Sequence, residues 1–399
     1  MNQPSDFVSA KQAVKLLGVR LPTLYAYASR GLVTSVPSGE GRARLYARAD
    51  LLRLRARRDA RGGHAAVASG ALRWGEPVLE SSITEIGASG PRYRGQWAVE
   101  LARQGTPFES VCALLWAGSL PAERPEMRST VPVARSAGAT TWVERLLCVA
   151  PTLAPGDPLC APLANAGQLV RTLAVALAPD PRRAASAARA STVARAALAS
   201  FGVEATERRV AGVEQALVLC ADHELNVSAF AARVVASAGA TLPACITAAL
   251  AAFSGPAHGA ASDRVEALLD EVGSPARARA VLAERVRRGE ALAGFGHPLY
   301  PAGDPRGAQL LALARARATL ARPPRLKVLE AVVRAMHAAE QPAPNLDAGL
   351  VAVRIALGLP VGAASALFAL GRSAGWIAHA LEQREQGFLL RPRARYVAR

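Results

Sequence analysis

The sequence predicts a mainly α-helical chain: a small basic unit over residues 1–60, then a large helical body running to the end. Three observations carry that reading. Capping and breaking residues alternate with apolar runs at helical spacing from residue 9 onward. Apolar stripes recur at i, i+3, i+4, i+7 across the second half of the chain. Charge is uneven, because residues 1–63 hold 12 basic and 4 acidic side chains and so carry +8 of the total of +17. The 399 residues are 51% hydrophobic and 20% charged, a balance that buries a sizeable core and excludes a disordered protein.

The overall charge says less about partners than its size suggests. Three lysines stand against 45 arginines in an alanine-swollen chain, which is a compositional bias before it is a binding surface. The first residues, Met1 to Asp6, lack a basic-then-apolar leader pattern, and the five cysteines show no C-x-x-C spacing, so a reducing cytoplasm is expected. The longest uncharged stretch, Val234 to Ser262, contains Pro243, Pro256 and several glycines, and reads as a buried helix followed by a turn, with no membrane association expected.

In the N-terminal unit Ser9 caps a helix through Leu17, Gly18 ends it, and a second helix runs from about Pro22 to Arg30. Val33 to Tyr46, with Pro37, Gly39 and Gly41, suits a short hairpin, and Ala49 to Arg58 is helical. Ala13, Leu17, Leu24 and Leu32 are the expected core. The run "SAKQAVKLLGVRLPTLYAYASRGLV" resembles the winged helix-turn-helix of MerR-like and excisionase-like proteins. That resemblance implies double-stranded DNA as a partner, with Thr23 and Tyr25 on the helix entering the major groove and Arg42 and Arg44 on phosphates. No base-reading Asn or Gln dominates the second helix, so a retained packing or dimerisation module stays open beside DNA binding.

Residues 61–74, with Gly62-Gly63-His64, read as a linker. Beyond it, Asp263 and Glu266 suggest a capping box on a helix whose Val265, Leu268, Leu269 and Val272 form a core stripe; Leu326, Leu329, Val333 and Met336 form another. The Pro-rich stretches 118–135 and 151–158 read as loops.

Common chemical motifs are excluded first. His223-Glu224 lacks the second His of a zinc-binding H-E-x-x-H, and no cysteine cluster offers ligands, so no metal is expected. Leu299 stands where a dinucleotide fingerprint needs its third Gly. What remains are three histidines and an aspartate beside turn-forming residues: "ADHELNVSA" around His223, "SGPAHGAAS" around His258, "GFGHPLYPAGDPR" around His297 and "APNLDAGL" around Asp347.

In this order, and with "RYRG" at 92–95 and "GRSAGWIAHALE" at 371–382, these segments resemble the citrate synthase family over residues 75–399. The resemblance implies a two-domain all-α fold, with a large domain from 75–258 and 356–399 and a small domain from 259–355, closing over the substrate by a hinge. It implies that His258 donates to the acetyl-CoA thioester oxygen, that Asp347 removes the methyl proton and that His297 polarises the ketone of oxaloacetate. His223, Arg306, Arg372 and Arg391 match contacts of the oxaloacetate dianion, for which planar Arg forks suit carboxylates best. Arg391 corresponds to a residue reaching into the partner subunit's site, which implies a homodimer. No cofactor is implied beyond the acyl-CoA substrate. Cys220 replaces a histidine of many bacterial relatives, and Pro298 and Pro301 stand where relatives carry Arg or Lys near the CoA phosphates. His337 and His379 read as structural.

The activity implied is an acyltransferase of the tricarboxylic acid cycle that converts the acyl group to alkyl as acetyl-CoA condenses with oxaloacetate and citryl-CoA is hydrolysed to citrate and CoA. Two further readings stay open: propionyl-CoA giving 2-methylcitrate, since one methyl discriminates by only about 1–3 kcal/mol, and a DNA-binding regulator whose body senses a metabolite.

Overall fold

The computed structural model describes residues 7–37, 44–48, 50–52, 54, 79–129, 139–153, 162–317, 323–392 and 396. The expected linker 61–74, His64 and Arg42 lie outside the described residues. The chain forms two compact units, one of residues 1–80 with 392–399 and one of residues 81–391.

In the first unit, β1 (Phe7–Ser9) runs into α1 (Ala10–Leu17) through Ser9. The Ser9 hydroxyl accepts from the Gln12 N–H while Gln12 Oε1 accepts from the Ser9 N–H at 3.0 Å, a reciprocal cap. After α2 (Leu21–Ser29), β2 (Ser35–Pro37) and β3 (Arg44–Ala47) pair antiparallel, as the predicted hairpin requires. β1 adds a strand the sequence reading lacked, giving the order β1-β3-β2. Ala13, Leu17 and Leu24 are buried with Val33, Tyr46 and Leu51. Leu32 is not a core residue but 43% exposed. Its N–H closes onto the Tyr27 carbonyl in the turn after α2, and the next side chain, Val33, faces inward instead.

The second unit opens with a small antiparallel sheet, β4 (Thr84–Gly87), β5 (Gly90–Tyr93) and β6 (Gln96–Trp97). The "RYRG" segment therefore lies on a strand and its turn, where a helical body was expected. Helices follow: α3 (Ala98–Arg103), α4 (Phe108–Ala117), α5 (Trp142–Val149), α6 (Pro162–Ala176), α7 (Pro181–Arg189), α8 (Val193–Phe201), α9 (Glu207–Cys220), α10 (Val227–Ser237) and α11 (Leu242–Phe253). They continue with α12 (Ala261–Val272), α13 (Ala278–Arg287), α14 (Pro305–Arg317), α15 (Pro324–Ala338), α16 (Leu346–Leu357) and α17 (Ala363–Gln386). No helix among the described residues is long and apolar enough to cross a membrane.

The nearly wholly buried α17 forms the axis against which α9, α10 and α11 pack. Close approach explains its glycines. A Cβ on Gly375 would lie 2.2 Å from Asp222 Oδ1 and 2.6 Å from the Ala221 carbonyl. That carbonyl accepts the Gly375 N–H, so the segment after α9 is pinned to α17. On the other side of the unit, a Cβ on Gly307 would meet the Asn345 backbone at 2.4 Å, which is how α14 and the start of α16 come together.

The stripe Val265, Leu268, Leu269 and Val272 is buried as expected, but Asp263 and Glu266 do not cap α12, which begins at Ala261 without a side-chain cap. Asp263 lies inside the first turn and accepts from Ser365 Oγ at 2.6 Å. Glu266 is buried between Arg354 and Arg325 and ties α12 to α16. In α15, Leu326, Leu329 and Met336 are buried and Val333 is half-buried, while His337 is exposed.

Candidate active site

Four loop-and-helix junctions supply the site. His223 follows α9, His258 lies in the turn after α11, His297 in the segment before α14, and Asp347 in the first turn of α16. The chain breaks helix at each because Gly or Pro, or an Asn cap, stands there. Asn345 caps α16 by accepting the Asp347 N–H, and its own side-chain amide donates to the Gly296 carbonyl at 3.1 Å. This ties the Asp347 turn to the His297 segment.

The rings of His223 and His297 meet edge to face with centroids 5.1 Å apart. Tyr300 completes the group: its hydroxyl lies 2.9 Å from His223 Nε2 and its ring 4.9 Å from that of His297. His297 Nδ1 accepts from the Leu299 N–H at 3.1 Å. The proton of the neutral imidazole is therefore on Nε2, leaving that atom as a donor. Burial, with Arg306 second, lowers the His297 pKa to about 4, so the ring is neutral near pH 7. Burial, then the cations Arg306 and Arg372, also lowers that of His223 well below its usual value.

His258 packs its ring against Phe253, with centroids 5.2 Å apart, and Nε2 lies 2.8 Å from Ser228 Oγ. That hydroxyl also receives Trp376 Nε1–H at 2.9 Å and donates to Asn226 Oδ1 at 2.7 Å. Because the single Ser228 proton goes to Asn226 Oδ1, the contact to His258 is made by Nε2–H donating to Ser228 Oγ, and the neutral ring leaves Nδ1 unprotonated. Burial, then Arg372, lowers the His258 pKa to about 4.

Among the described residues the Asp347 carboxylate accepts one hydrogen bond, from Ser262 Oγ to Oδ1 at 2.7 Å. Burial outweighs this bond and the nearby Arg306, and raises its pKa from 3.8 to about 6. It is thus a stronger base than an ordinary Asp, yet largely ionised at neutral pH.

The two arginines differ in what they leave available. Arg306, fully buried, gives Nε and Nη2 to Asp304 at 3.0 and 2.9 Å. Asp304 also accepts the Leu346 N–H at 3.1 Å, so the pair is built into the base of α16. Arg372 gives Nε to the Cys220 carbonyl at 2.7 Å, while its two Nη atoms have no hydrogen-bond partner among the described residues. A buried guanidinium with an unengaged fork is suited to an anion, bidentately if that anion is a carboxylate. No group of three or more His, Cys, Asp or Glu among the described residues is arranged to hold a metal ion.

The structure therefore gathers His223, His258, His297, Asp347, Arg306 and Arg372. It does not bring Arg391 to them: that residue is exposed after α17, with no hydrogen bond or ion pair among the described residues. Tyr25 is 52% exposed on α2, and Thr23 is half-buried there. Arg44 gives Nε and Nη2 to Ser35, both at 3.0 Å. Ser228, Ser262, Tyr300, Asp304 and Asn345 were not singled out from sequence, although each lies inside a segment quoted for its His or Asp. Tyr93, within "RYRG", donates to the Val218 carbonyl at 3.0 Å and holds the end of α9. His379, read as structural, is fully buried with Nε2 3.4 Å from Asp222 Oδ1.

Comparison with known proteins adds the family. The family model described as "Citrate synthase, C-terminal domain" matches residues 71–393. A putative citrate synthase 2 of Mycobacterium tuberculosis is 38% identical over 214 residues, 52% of this chain and 56% of that protein. A 2-methylcitrate synthase of the same species is 32% identical over 197 residues, 49% of this chain and 50% of that one. The chain spans about half the length of the curated relatives it matches. Among solved structures, the ternary complex of Thermoplasma acidophilum citrate synthase with carboxymethyl coenzyme A and oxaloacetate superposes with a TM-score of 0.67 at 25% identity, covering 81% of this chain and 94% of that one.

Proposed function

The chain belongs to the citrate synthase family, and we propose that it condenses acetyl-CoA with oxaloacetate and hydrolyses the resulting citryl-CoA to citrate and CoA. The observation that carries this reading is the juxtaposition of a carboxylate of raised basicity with two imidazoles held neutral and two buried arginines. A thioester methyl is too weak an acid for a carboxylate acting alone, so proton removal must coincide with stabilisation of the enolate oxygen.

In this mechanism Asp347 takes the methyl proton while His258 donates to the thioester oxygen from Nδ1, the Ser228 hydroxyl turning its proton from Asn226 Oδ1 to His258 Nε2 as the imidazole proton moves to Nδ1. The nascent enol carbon attacks the ketone carbon of oxaloacetate. His297 Nε2–H polarises the ketone oxygen and stabilises the alkoxide formed as the carbon–carbon bond closes. Arg372 and the remaining Nη1 of Arg306 bind the two carboxylates, with His223 beside them. Water then attacks the citryl thioester, and CoA leaves as the thiol. Hinge closure around the two reactants keeps water out until that stage. Ratios of kcat/KM for acetyl-CoA and propionyl-CoA test the acyl choice: a clear preference for acetyl-CoA supports citrate, and an inverted preference makes the product 2-methylcitrate, as the name of the second relative favours.

The site belongs to a homodimer on this reading, with Arg391 serving the partner subunit; its exposure and its distance from the contacts of its own site support that. The free thiols Cys112, Cys148, Cys220 and Cys245 accord with the cytoplasm. The N-terminal unit is read as a MerR-like winged helix-turn-helix, supported by a capped helix, a turn at Gly18, a second helix and a hairpin. It would bind duplex DNA through the exposed face of α2 with Tyr25. Fluorescence anisotropy against promoter and random duplexes tests this: binding that exceeds random DNA and weakens steeply with salt supports it, and equal weak binding removes it.

A further inference from the structure

We propose that Tyr300 is a positioning residue of the oxaloacetate site, tying His223 to His297 and Arg306 so that separate parts of the chain act on one substrate. The proposal rests on the reading above. Tyr300 is 3% exposed, yet it lies in a turn, not a helix, where burial of so large a side chain calls for a partner surface. The surface it finds is made of substrate-site groups. Its hydroxyl bonds His223 Nε2 at 2.9 Å, across 77 residues of sequence. Its ring lies against His297 and 5.6 Å from the Arg306 guanidinium. Its backbone belongs to the His297 turn, because the Tyr300 N–H donates to the His297 carbonyl and the Gly303 N–H to the Tyr300 carbonyl, both at 3.0 Å.

The consequence is geometric. His297 is carried by the segment leading into α14 and Arg306 by that helix's first turn, whereas His223 is carried by the end of α9, which Tyr93, Arg372 and Gly375 hold from the other side. Among the described residues the Tyr300 hydroxyl is the only side-chain hydrogen bond to the His223 ring. Burial raises its pKa to about 12, so the phenol remains a neutral donor and acceptor throughout the working range. Without that hydroxyl the imidazole keeps only edge contacts and is free to turn about its side-chain bonds. An anionic substrate would then have to order it on binding, and affinity for that substrate alone would fall.

The test compares the native chain with Tyr300→Phe, which removes only the hydroxyl, and Tyr300→Leu, which also removes the ring over which Arg306 sits. Steady-state kinetics are measured for both substrates, and oxaloacetate affinity by calorimetry. Tyr300→Phe is expected to raise the oxaloacetate KM and Kd about 10-fold, in line with loss of one buried hydrogen bond, with the acyl-CoA KM within about two-fold of native. The 15N resonance of His223 Nε2 should move in the same variant. Tyr300→Leu should add a fall in kcat through His297. Unchanged oxaloacetate KM and Kd in Tyr300→Phe would overturn the proposal while leaving the enzyme reading intact. A native chain that binds oxaloacetate without turnover would overturn the enzyme reading, and the Kd comparison would still decide on Tyr300; a native chain that does not bind it would overturn both.

Discussion

Replacing Asp347 by Asn should stabilise the protein while abolishing its chemistry. The carboxyl is raised from 3.8 to about 6 by burial, against the opposing effect of the Ser262 hydrogen bond. A shift of that size corresponds to about 3 kcal/mol by which the folded chain disfavours the charged form. The sign follows from the order of the two values. Because the folded pKa is the higher, the folded chain holds the proton more tightly; the contribution to stability is full below about pH 4 and is lost as pH rises through about 6. At pH 8 the native protein therefore carries the whole cost. Asn has the same shape, keeps an oxygen for Ser262 Oγ, and has no charge to bury. Urea unfolding followed by tryptophan fluorescence, at matched protein concentration, should show Asp347→Asn more stable than native by up to about 3 kcal/mol at pH 8 and by only about 1 kcal/mol at pH 4.5. A variant no more stable at pH 8, or a gain of the same size at both pH values, would refute the claim that burial of the charged base is what raises its pKa.

The same value sets the acid limb of activity: kcat/KM should rise with a midpoint near pH 6 as Asp347 ionises, and not with the imidazoles, already neutral above about 4. Glu266→Gln leaves the buried Arg354 and its neighbour Arg325 without their shared carboxylate and should cost about 3–5 kcal/mol in urea unfolding. Gly375→Ala forces a methyl against Asp222 Oδ1 and the Ala221 carbonyl, so it should lower stability by about 1–3 kcal/mol or more and weaken oxaloacetate binding through the displaced His223 segment. If Arg391 serves the partner's site, Asp347→Asn and Arg391→Ala chains, each inactive alone, should regain turnover when refolded together, and no recovery in the mixture would contradict that assignment.

Much of this site was legible because its chemistry is written in short segments. Gly and Pro beside His258 and His297, and a capping Asn close to His223 and Asp347, announce junctions, and each of the four does lie at one. What stayed hidden depends on geometry between segments. Ser228 matters because α10 and α17 bring Trp376 and His258 onto one hydroxyl, and nothing in the spacing of residues 228, 258 and 376 shows that. Asp263 and Glu266 have the i, i+3 spacing of a cap, yet Ser365 and Arg354, about 100 and 88 residues away, claim their carboxylates. Leu32 looked like core by hydropathy alone, and the turn after α2 gave that place to Val33. Local pattern specified the elements, while tertiary contact chose among polar partners of equal chemical type.

The most direct measurement is oxaloacetate-dependent release of the CoA thiol from acetyl-CoA by the native chain and by Asp347→Asn. The account predicts steady release by the native protein that requires oxaloacetate, and its loss in a variant that remains folded and still binds oxaloacetate. Native protein that binds both substrates but releases no thiol, or an Asp347→Asn variant as fast as native, would contradict it.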